Sequence, residues 1–237
     1  MKPTLLLGLL FLGFILSVKG QAEAYKEDFV RIQNTYEARP KMELSVEYRV
    51  YENFSSSTPI DVGTAQVKKS GELIWYKLDF LETITTTEAE LTIDHEDKLI
   101  WLSAPSSQEN EMLMAFALDQ LLVASDKLEL IQNTNSQKAY RISYASGELE
   151  AASFMFNTAE LLVKRVTLYY RIPQSLLPND SEEQKPRMEI DISYLSLSPN
   201  FSKSTFSISP FVRLNANGTY EVRKAYESYE LISELPQ

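Results

Sequence analysis

Apolar and polar residues alternate strictly along residues 42–51, and the same two-residue period returns over residues 187–197. Between Met42 and Val50 every second residue is apolar, and the residues between them are polar. Successive side chains of a β-strand point to opposite faces, so this pattern predicts strands with one apolar and one solvated face. A chain built from such strands has to bury one side of a sheet.

Short turns separate the apolar segments, which favours antiparallel pairing of consecutive strands. A polar turn is predicted at Asp94–Asp97, and the pair Asn217-Gly218 predicts a hairpin near residue 217. The predicted strands cover residues 42–51, 61–69, 72–80, 83–93, 98–103, 127–132, 138–144, 148–156, 160–172, 187–197, 211–214 and 220–222.

Two segments have a helical period instead. Residues 22–38 place Tyr25, Phe29, Ile32 and Tyr36 on one stripe, and residues 109–124 are rich in Leu, Met and Ala. The prediction is a mainly β fold with two covering helices, in which a curved antiparallel sheet forms an incomplete β-barrel around an apolar interior.

The first 20 residues are typical of a removable signal peptide. Lys2 gives a positive start, and about 14 largely apolar residues follow from Leu5 to Val18, whereas a membrane-spanning helix needs roughly 20. An uncleaved N-terminal anchor is the alternative. We expect a leader at residues 1–20, a single domain at residues 21–237 and no transmembrane segment. The absence of cysteine suits a bacterial periplasm, with secretion as the alternative because four Asn-x-Ser/Thr sequons are present.

Composition excludes several classes of function. Without cysteine there is no thiol nucleophile, disulfide or zinc–cysteine site. A formal net charge of −10 without a basic block argues against nucleic acid, whose phosphates are bound by Lys and Arg. With seven glycines and no GxGxxG or GxxxxGK pattern, the sequence does not predict a nucleotide site. We expect no cofactor and no metal.

Catalytic residues are hard to assign. The one histidine, His95, lies in the predicted acidic turn, where a structural or solvated role is expected rather than a general base. For such a residue, we expect His95→Ala to change the free energy of unfolding by no more than about 0.5 kcal/mol. Acid pairs such as Glu88/Glu90, Glu182/Glu183 and Glu189/Asp191 could serve glycoside cleavage, but most alternate with apolar strand positions and so face water. The chain is not expected to be an enzyme, and a hydrolase is the third alternative.

Three stretches of the sequence resemble the LolA/LolB-like lipoprotein-carrier family. The first is the amphipathic helix ahead of the alternating strand at Met42–Tyr51, and the second is the aromatic segment Gly71–Ser103 with its acidic turn. The third is Met188–Pro210, in which Phe206 and Pro210 occupy matching places. The resemblance implies an incomplete barrel of about eleven strands, closed by helices over a hydrophobic cavity. It also implies that the ligand is a lipid or the acyl chain of a lipoprotein.

The predicted function is therefore a soluble exported carrier of a hydrophobic ligand, with envelope proteins as candidate partners. The alternative is a non-catalytic interaction or scaffold module of the cell envelope, in which the same apolar residues fill a core. The residues predicted to line the cavity share an inward position on strands or on the second helix. They are Leu44, Val46, Tyr48, Tyr76, Leu78, Leu113, Phe116, Leu121, Leu168, Tyr170, Ile190 and Ile192.

Overall fold

The computed structural model describes residue 25 and residues 27–105, 125–171 and 185–235. Helix α1 is described at residue 25 and over residues 27–37, and for those residues it confirms the helix predicted at 22–38. Its apolar stripe is buried: Phe29 is 7% exposed and Ile32 is fully buried. The predicted leader at residues 1–20 and the predicted helix at 109–124 lie outside the described residues.

The fold is mainly β, as the alternating pattern predicts. The strands of the first half are β1 (Lys41–Tyr51), β2 (Asp61–Ser70), β3 (Leu73–Leu78), β4 (Leu81–Thr85), β5 (Glu90–Asp94) and β6 (Leu99–Ser103). Those of the second half are β7 (Lys127–Asn133), β8 (Gln137–Ser143), β9 (Leu149–Asn157), β10 (Val163–Tyr170), β11 (Arg187–Ser196), β12 (Val212–Leu214), β13 (Tyr220–Val222) and β14 (Glu230–Ser233).

Twelve of these strands form one curved, open sheet in the order β14-β6-β5-β4-β3-β2-β1-β11-β10-β9-β8-β7. Two antiparallel meanders, β1–β6 and β7–β11, are joined where β1 pairs with β11. The register places Leu44 opposite Tyr194 and Val46 opposite Ile192. The two halves therefore share one continuous apolar surface at the centre of the sheet.

One strand prediction was wrong, and one strand was missed. The segment predicted as one strand at 83–93 is two strands, because Thr86 closes a turn: its hydroxyl oxygen accepts from the backbone N–H of Ala89 at 2.9 Å. Strand β14 was not predicted, and it pairs with β6 in parallel, with Glu230 opposite Leu99. The predicted hairpin at Asn217-Gly218 is confirmed by the antiparallel pair β12–β13.

The buried face of the sheet changes sides within β3. We call the face that packs against α1 the helix face and the opposite one the outer face. Tyr76 packs into the helix-face cluster, whereas its neighbour Trp75 packs into a second cluster on the outer face. Trp75 lies opposite Ile84, and Ile84 opposite Leu91, so the strands after β3 bury the outer side.

The C-terminal part of the chain covers this second apolar surface. Phe211 and Val212 are buried against the outer face of β4–β6, and Tyr226 packs on Phe211 with ring centroids 4.9 Å apart. The apolar faces of the strands are therefore divided between two layers: α1 on the helix face and residues 208–235 on the outer face.

Candidate ligand-binding face

The helix face brings together nine of the twelve predicted cavity residues. They belong to one apolar cluster and come from four strands, β1, β3, β10 and β11: Leu44, Val46, Tyr48, Tyr76, Leu78, Leu168, Tyr170, Ile190 and Ile192. The other three, Leu113, Phe116 and Leu121, lie outside the described residues. The shared location of the nine follows from the strand register, while their role as ligand contacts stays a prediction.

The nine residues differ in how completely the protein buries them. Five are core residues, with exposed fractions of 6% or less: Leu44, Val46, Leu168, Ile190 and Ile192. Tyr48, Tyr76, Leu78 and Tyr170 are only partly buried, although they pack against the same cluster. The helix face therefore carries a closed core and, next to it, apolar surface that is still partly open.

Helix α1 fills the closed part. The ring of Phe29 lies 5.4 Å from that of Tyr140 and 5.1 Å from that of Phe154. Tyr25 meets Tyr140 edge-on at 5.2 Å. Aromatic pairs at such distances contribute about 0.5–1.5 kcal/mol each beyond their buried area. This region has the packing of a filled core.

A buried carboxylate fixes α1 to β8. Asp28 is 5% exposed, and its Oδ2 accepts from Nζ of Lys138 at 2.7 Å and from the hydroxyl of Tyr140 at 2.5 Å. Burial raises the pKa of Tyr140, and the carboxylate of Asp28 adds to that shift. The hydroxyl therefore remains a donor to Asp28 at physiological pH. A buried charge that is paired and hydrogen-bonded in this way holds a helix in one position.

Gly63 is a residue of this face that the sequence analysis did not assign to the site. Gly63 lies in β2 directly opposite Tyr48 in β1, and it is buried. A glycine inside a strand pattern is a general signal for close approach of another group, and that signal was available in the sequence. Its partner could not be known before the register of β1 and β2.

His95 lies in the predicted acidic turn, where Oδ1 of Asp94 accepts from the backbone N–H groups of Glu96 and Asp97 at 2.9 Å each. Its ring, however, joins two parts of the fold. Nε2 lies 3.2 Å from Oε2 of Glu82 in β4, and Nδ1 lies 3.1 Å from the hydroxyl of Tyr229.

The other oxygen of the Glu82 carboxylate accepts from Nε1 of Trp75 at 2.8 Å. Glu82 is thus held from two sides, by the indole of Trp75 and by the imidazole of His95. The arrangement connects the sheet to the C-terminal layer, and this gives the one imidazole of the chain a structural role.

The acid pair Glu189/Asp191 lies in an ion-pair ladder on the outer face. Oδ1 of Asp191 lies 2.6 Å from Nε of Arg165, and its Oδ2 lies 2.7 Å from Nη1 of Arg49. Burial acts to raise the pKa of Asp191, but the bonds to Arg165 and Arg49 outweigh it, so the pKa is lowered. An ionised carboxylate held by two guanidinium groups suits cross-strand pairing of β1, β11 and β10 rather than proton transfer.

Two further findings concern only the described residues. They contain no group of three or more His, Cys, Asp or Glu side chains arranged to hold a metal ion. They also contain no helix whose length and apolar character would let it cross a membrane.

Comparisons with known proteins concern the fold. No protein-family model matches the sequence, and no curated protein matches it either. Similar solved structures include an uncharacterized conserved protein from Thermus thermophilus, with a TM-score of 0.45 and 8% identity over 89% of this chain and 99% of that one.

Two more solved structures come from other bacteria. A LolA superfamily protein from Nitrosomonas europaea has a TM-score of 0.33 and 8% identity over 72% of this chain and 91% of that one. Lipoprotein LppX from Mycobacterium tuberculosis has a TM-score of 0.37 and 9% identity over 73% of this chain and 95% of that one. The superfamily named for the Nitrosomonas europaea structure is the one that the sequence resembles.

Proposed function

We propose that this protein is an exported carrier that binds a hydrophobic ligand on the helix face of its open sheet. The ligand class, a lipid or the acyl portion of a lipoprotein, is the one that the sequence resemblance implies. The apolar leader supports export to the periplasm, where a carrier shields such chains from water. The proposal requires apolar contacts but no catalytic group.

One observation carries the proposal: part of the helix-face cluster is packed against the core but still exposed to solvent. Tyr48, Tyr76, Leu78 and Tyr170 pack against buried residues and keep part of their own surface exposed. Binding sites for apolar ligands are mostly pre-formed and lined by such side chains, with few polar groups. Burying one methylene contributes about 0.8 kcal/mol, so a chain of about ten methylenes would gain about 8 kcal/mol before ordering costs.

A second candidate function is the non-catalytic scaffold. It is favoured by α1, since Tyr25, Phe29 and Ile32 fill much of the same face as ordinary core residues. In that case the half-buried residues are only the margin of a core, and the protein acts through its surface. The two candidates differ in one measurable property, which is affinity for an acyl chain.

The experiment is titration of the purified protein with a fluorescent fatty-acyl probe. Leu78→Glu places a carboxylate on the proposed site, where burial without a partner is costly, and should weaken binding by about tenfold or more. The matched control is Leu195→Glu, because Leu195 is 61% exposed on β11 and should tolerate the charge. Circular dichroism would verify that both variants fold. A folded wild-type protein that binds no probe would leave the scaffold function in place.

A further inference from the structure

The ring of Tyr48 occupies the place that a side chain at position 63 would take. A Cβ atom built on Gly63 would lie 2.3 Å from Cε1 of Tyr48 and 2.5 Å from its Cζ and Oη. Non-bonded carbon atoms pack at about 3.5–4.0 Å, so ring and methyl group exclude each other. The outer half of the ring therefore lies across β2, over the backbone of Gly63.

Backbone conformation does not explain the glycine. Gly71, Gly147 and Gly218 have positive φ angles, which side chains rarely tolerate, but Gly63 is not among the residues with positive φ. The φ angle of Gly63 would accept an alanine, and the three atoms nearest to the added Cβ all belong to the side chain of Tyr48. Glycine is thus required at this position by Tyr48, as when an aromatic residue covers a strand glycine on the neighbouring strand.

The hydroxyl end of the ring is held in this orientation. Burial raises the pKa of Tyr48, and the nearby carboxylates of Asp61 and Asp79 raise it further, with a hydrogen bond to Asp61. Asp61 begins β2, and Asp79 follows β3. The hydrogen bond to Asp61 at the start of β2 favours a ring that leans across β2 over one that stands away from the sheet.

The position matters because Tyr48 is only partly buried and lies directly beside the closed part of the helix face. On one side it is opposite the glycine, and on the other it is opposite Ile190, which is 5% exposed. A ring lying across β2 takes up the space above β2 rather than the space above its own strand, β1. A methyl group at position 63 would push the ring away from β2 and into the space above β1. The apolar surface along which an acyl chain could lie on the helix face would then be shorter.

We propose that the Gly63–Tyr48 pair sets the length of acyl chain that the helix face accepts. This inference rests on the proposed carrier function and adds a determinant of specificity to it. Each methylene that is buried strengthens binding by about fourfold, so a loss of about two methylenes of path weakens the binding of long chains by more than about tenfold.

The test is competition between the fluorescent probe and unlabelled saturated fatty acids of increasing length. Gly63→Ala should shift the preferred length to shorter chains, with a loss of about tenfold or more for the longest chain that the wild type binds well. Tyr48→Ala should extend the preferred length. The double variant should match Tyr48→Ala, because without the ring a methyl group at position 63 has nothing to displace. Thr64→Ala, an exposed neighbour on the other face, is the control.

The outcomes separate this inference from the function on which it rests. Wild-type protein that binds no fatty acid overturns both. Binding with the same length profile in wild type and Gly63→Ala overturns only the inference, as does a double variant that keeps the profile of Gly63→Ala. Should Gly63→Ala fail to fold, the comparison of Tyr48→Ala with wild type decides, and an unchanged profile rejects the pair as a determinant.

Discussion

The hydroxyl oxygens of Tyr36 and Tyr194 lie 2.5 Å apart and together bond both backbone groups of Val163. The N–H of Val163 donates to the Tyr36 hydroxyl, and the Tyr194 hydroxyl donates to the carbonyl oxygen of Val163, each at 3.0 Å. Since the proton of Tyr194 is used in this way, Tyr36 donates to Tyr194. The end of α1, β11 and the irregular start of β10 are thereby joined in one closed ring of hydrogen bonds.

Removing one member of this ring should be costly. In Tyr194→Phe the carbonyl of Val163 and the hydroxyl of Tyr36 both lose their hydrogen bond to Tyr194, which should lower the free energy of unfolding by about 1–3 kcal/mol. Urea denaturation of Tyr36→Phe, Tyr194→Phe and the double variant measures the coupling. The double variant should lose less than the sum of the two single losses, and strict additivity would contradict the ring.

The same ring predicts a loss of stability in alkali. Burial raises the pKa of both Tyr36 and Tyr194 above the value of 10.0 for a free tyrosine. The unfolded chain then releases these protons first, so the stabilisation is complete below about pH 10 and declines as the pH rises further. Between about pH 9.5 and 11 the wild type should lose stability more steeply than Tyr36→Phe/Tyr194→Phe. Equal slopes in denaturation at several pH values would contradict this.

Asp28 should be the polar residue of α1 whose replacement can test how the helix is fixed to β8. Asp28→Ala leaves the hydroxyl of buried Tyr140 and the ammonium group of Lys138 without their acceptor, and should cost about 2–4 kcal/mol. Arg31→Ala is the matched control. Its guanidinium is 52% exposed and 3.8 Å from Asp28, so the loss should stay within about 0.5 kcal/mol. The measurement is chemical denaturation of both variants. Similar losses in the free energy of unfolding would show that the carboxylate does not fix the helix.

His95→Ala should destabilise the protein by about 1–2 kcal/mol, more than the sequence alone predicts, because Glu82 and Tyr229 each lose a partner. Acyl-probe binding should be unchanged, since this network connects to the outer face. Glu96→Ala in the same turn is the control, because Glu96 is exposed and its backbone N–H keeps the bond to Asp94. A thermal melt that does not separate the two variants would return His95 to the role of a solvated turn residue.

Acid should weaken the ladder around Asp191. Its pKa is lowered in the folded protein, so its stabilisation is present above the unfolded value of 3.8 and is lost as the pH falls through the folded value. Asp191→Asn should therefore be less stable than the wild type at about pH 7. Its free energy of unfolding should fall less than that of the wild type on acidification to about pH 3. The measurement is urea denaturation of both proteins across that range. A parallel decline of wild type and variant would assign the acid sensitivity to other carboxylates.

The local spacing of apolar residues was sufficient to predict most of the fold. Alternation from Met42 to Val50 specifies β1, and the helical stripe with Phe29 and Ile32 specifies α1, because each pattern matches only one period. β14 could not be found in this way. It has four residues, and its pairing with β6 depends on contacts far apart in the sequence.

The candidate site was predictable to the same extent. Inward positions such as Leu44 and Ile192 follow from alternation, but the change of buried face between Trp75 and Tyr76 lies in a continuous apolar run that has no period to read. The contact of Tyr48 with Gly63 depends on register, which is fixed by pairing and not by either strand alone.

The division of the core between two layers has a consequence for how the chain folds. The outer faces of β4–β6 are buried by residues that are synthesised after every strand they cover. Contacts of such long sequence separation are slow to form, so Leu91 and Ile100 stay exposed in a nascent chain. Under the proposed export, this delay would keep the polypeptide competent for translocation. The same interval would be the time when a holding chaperone is most needed.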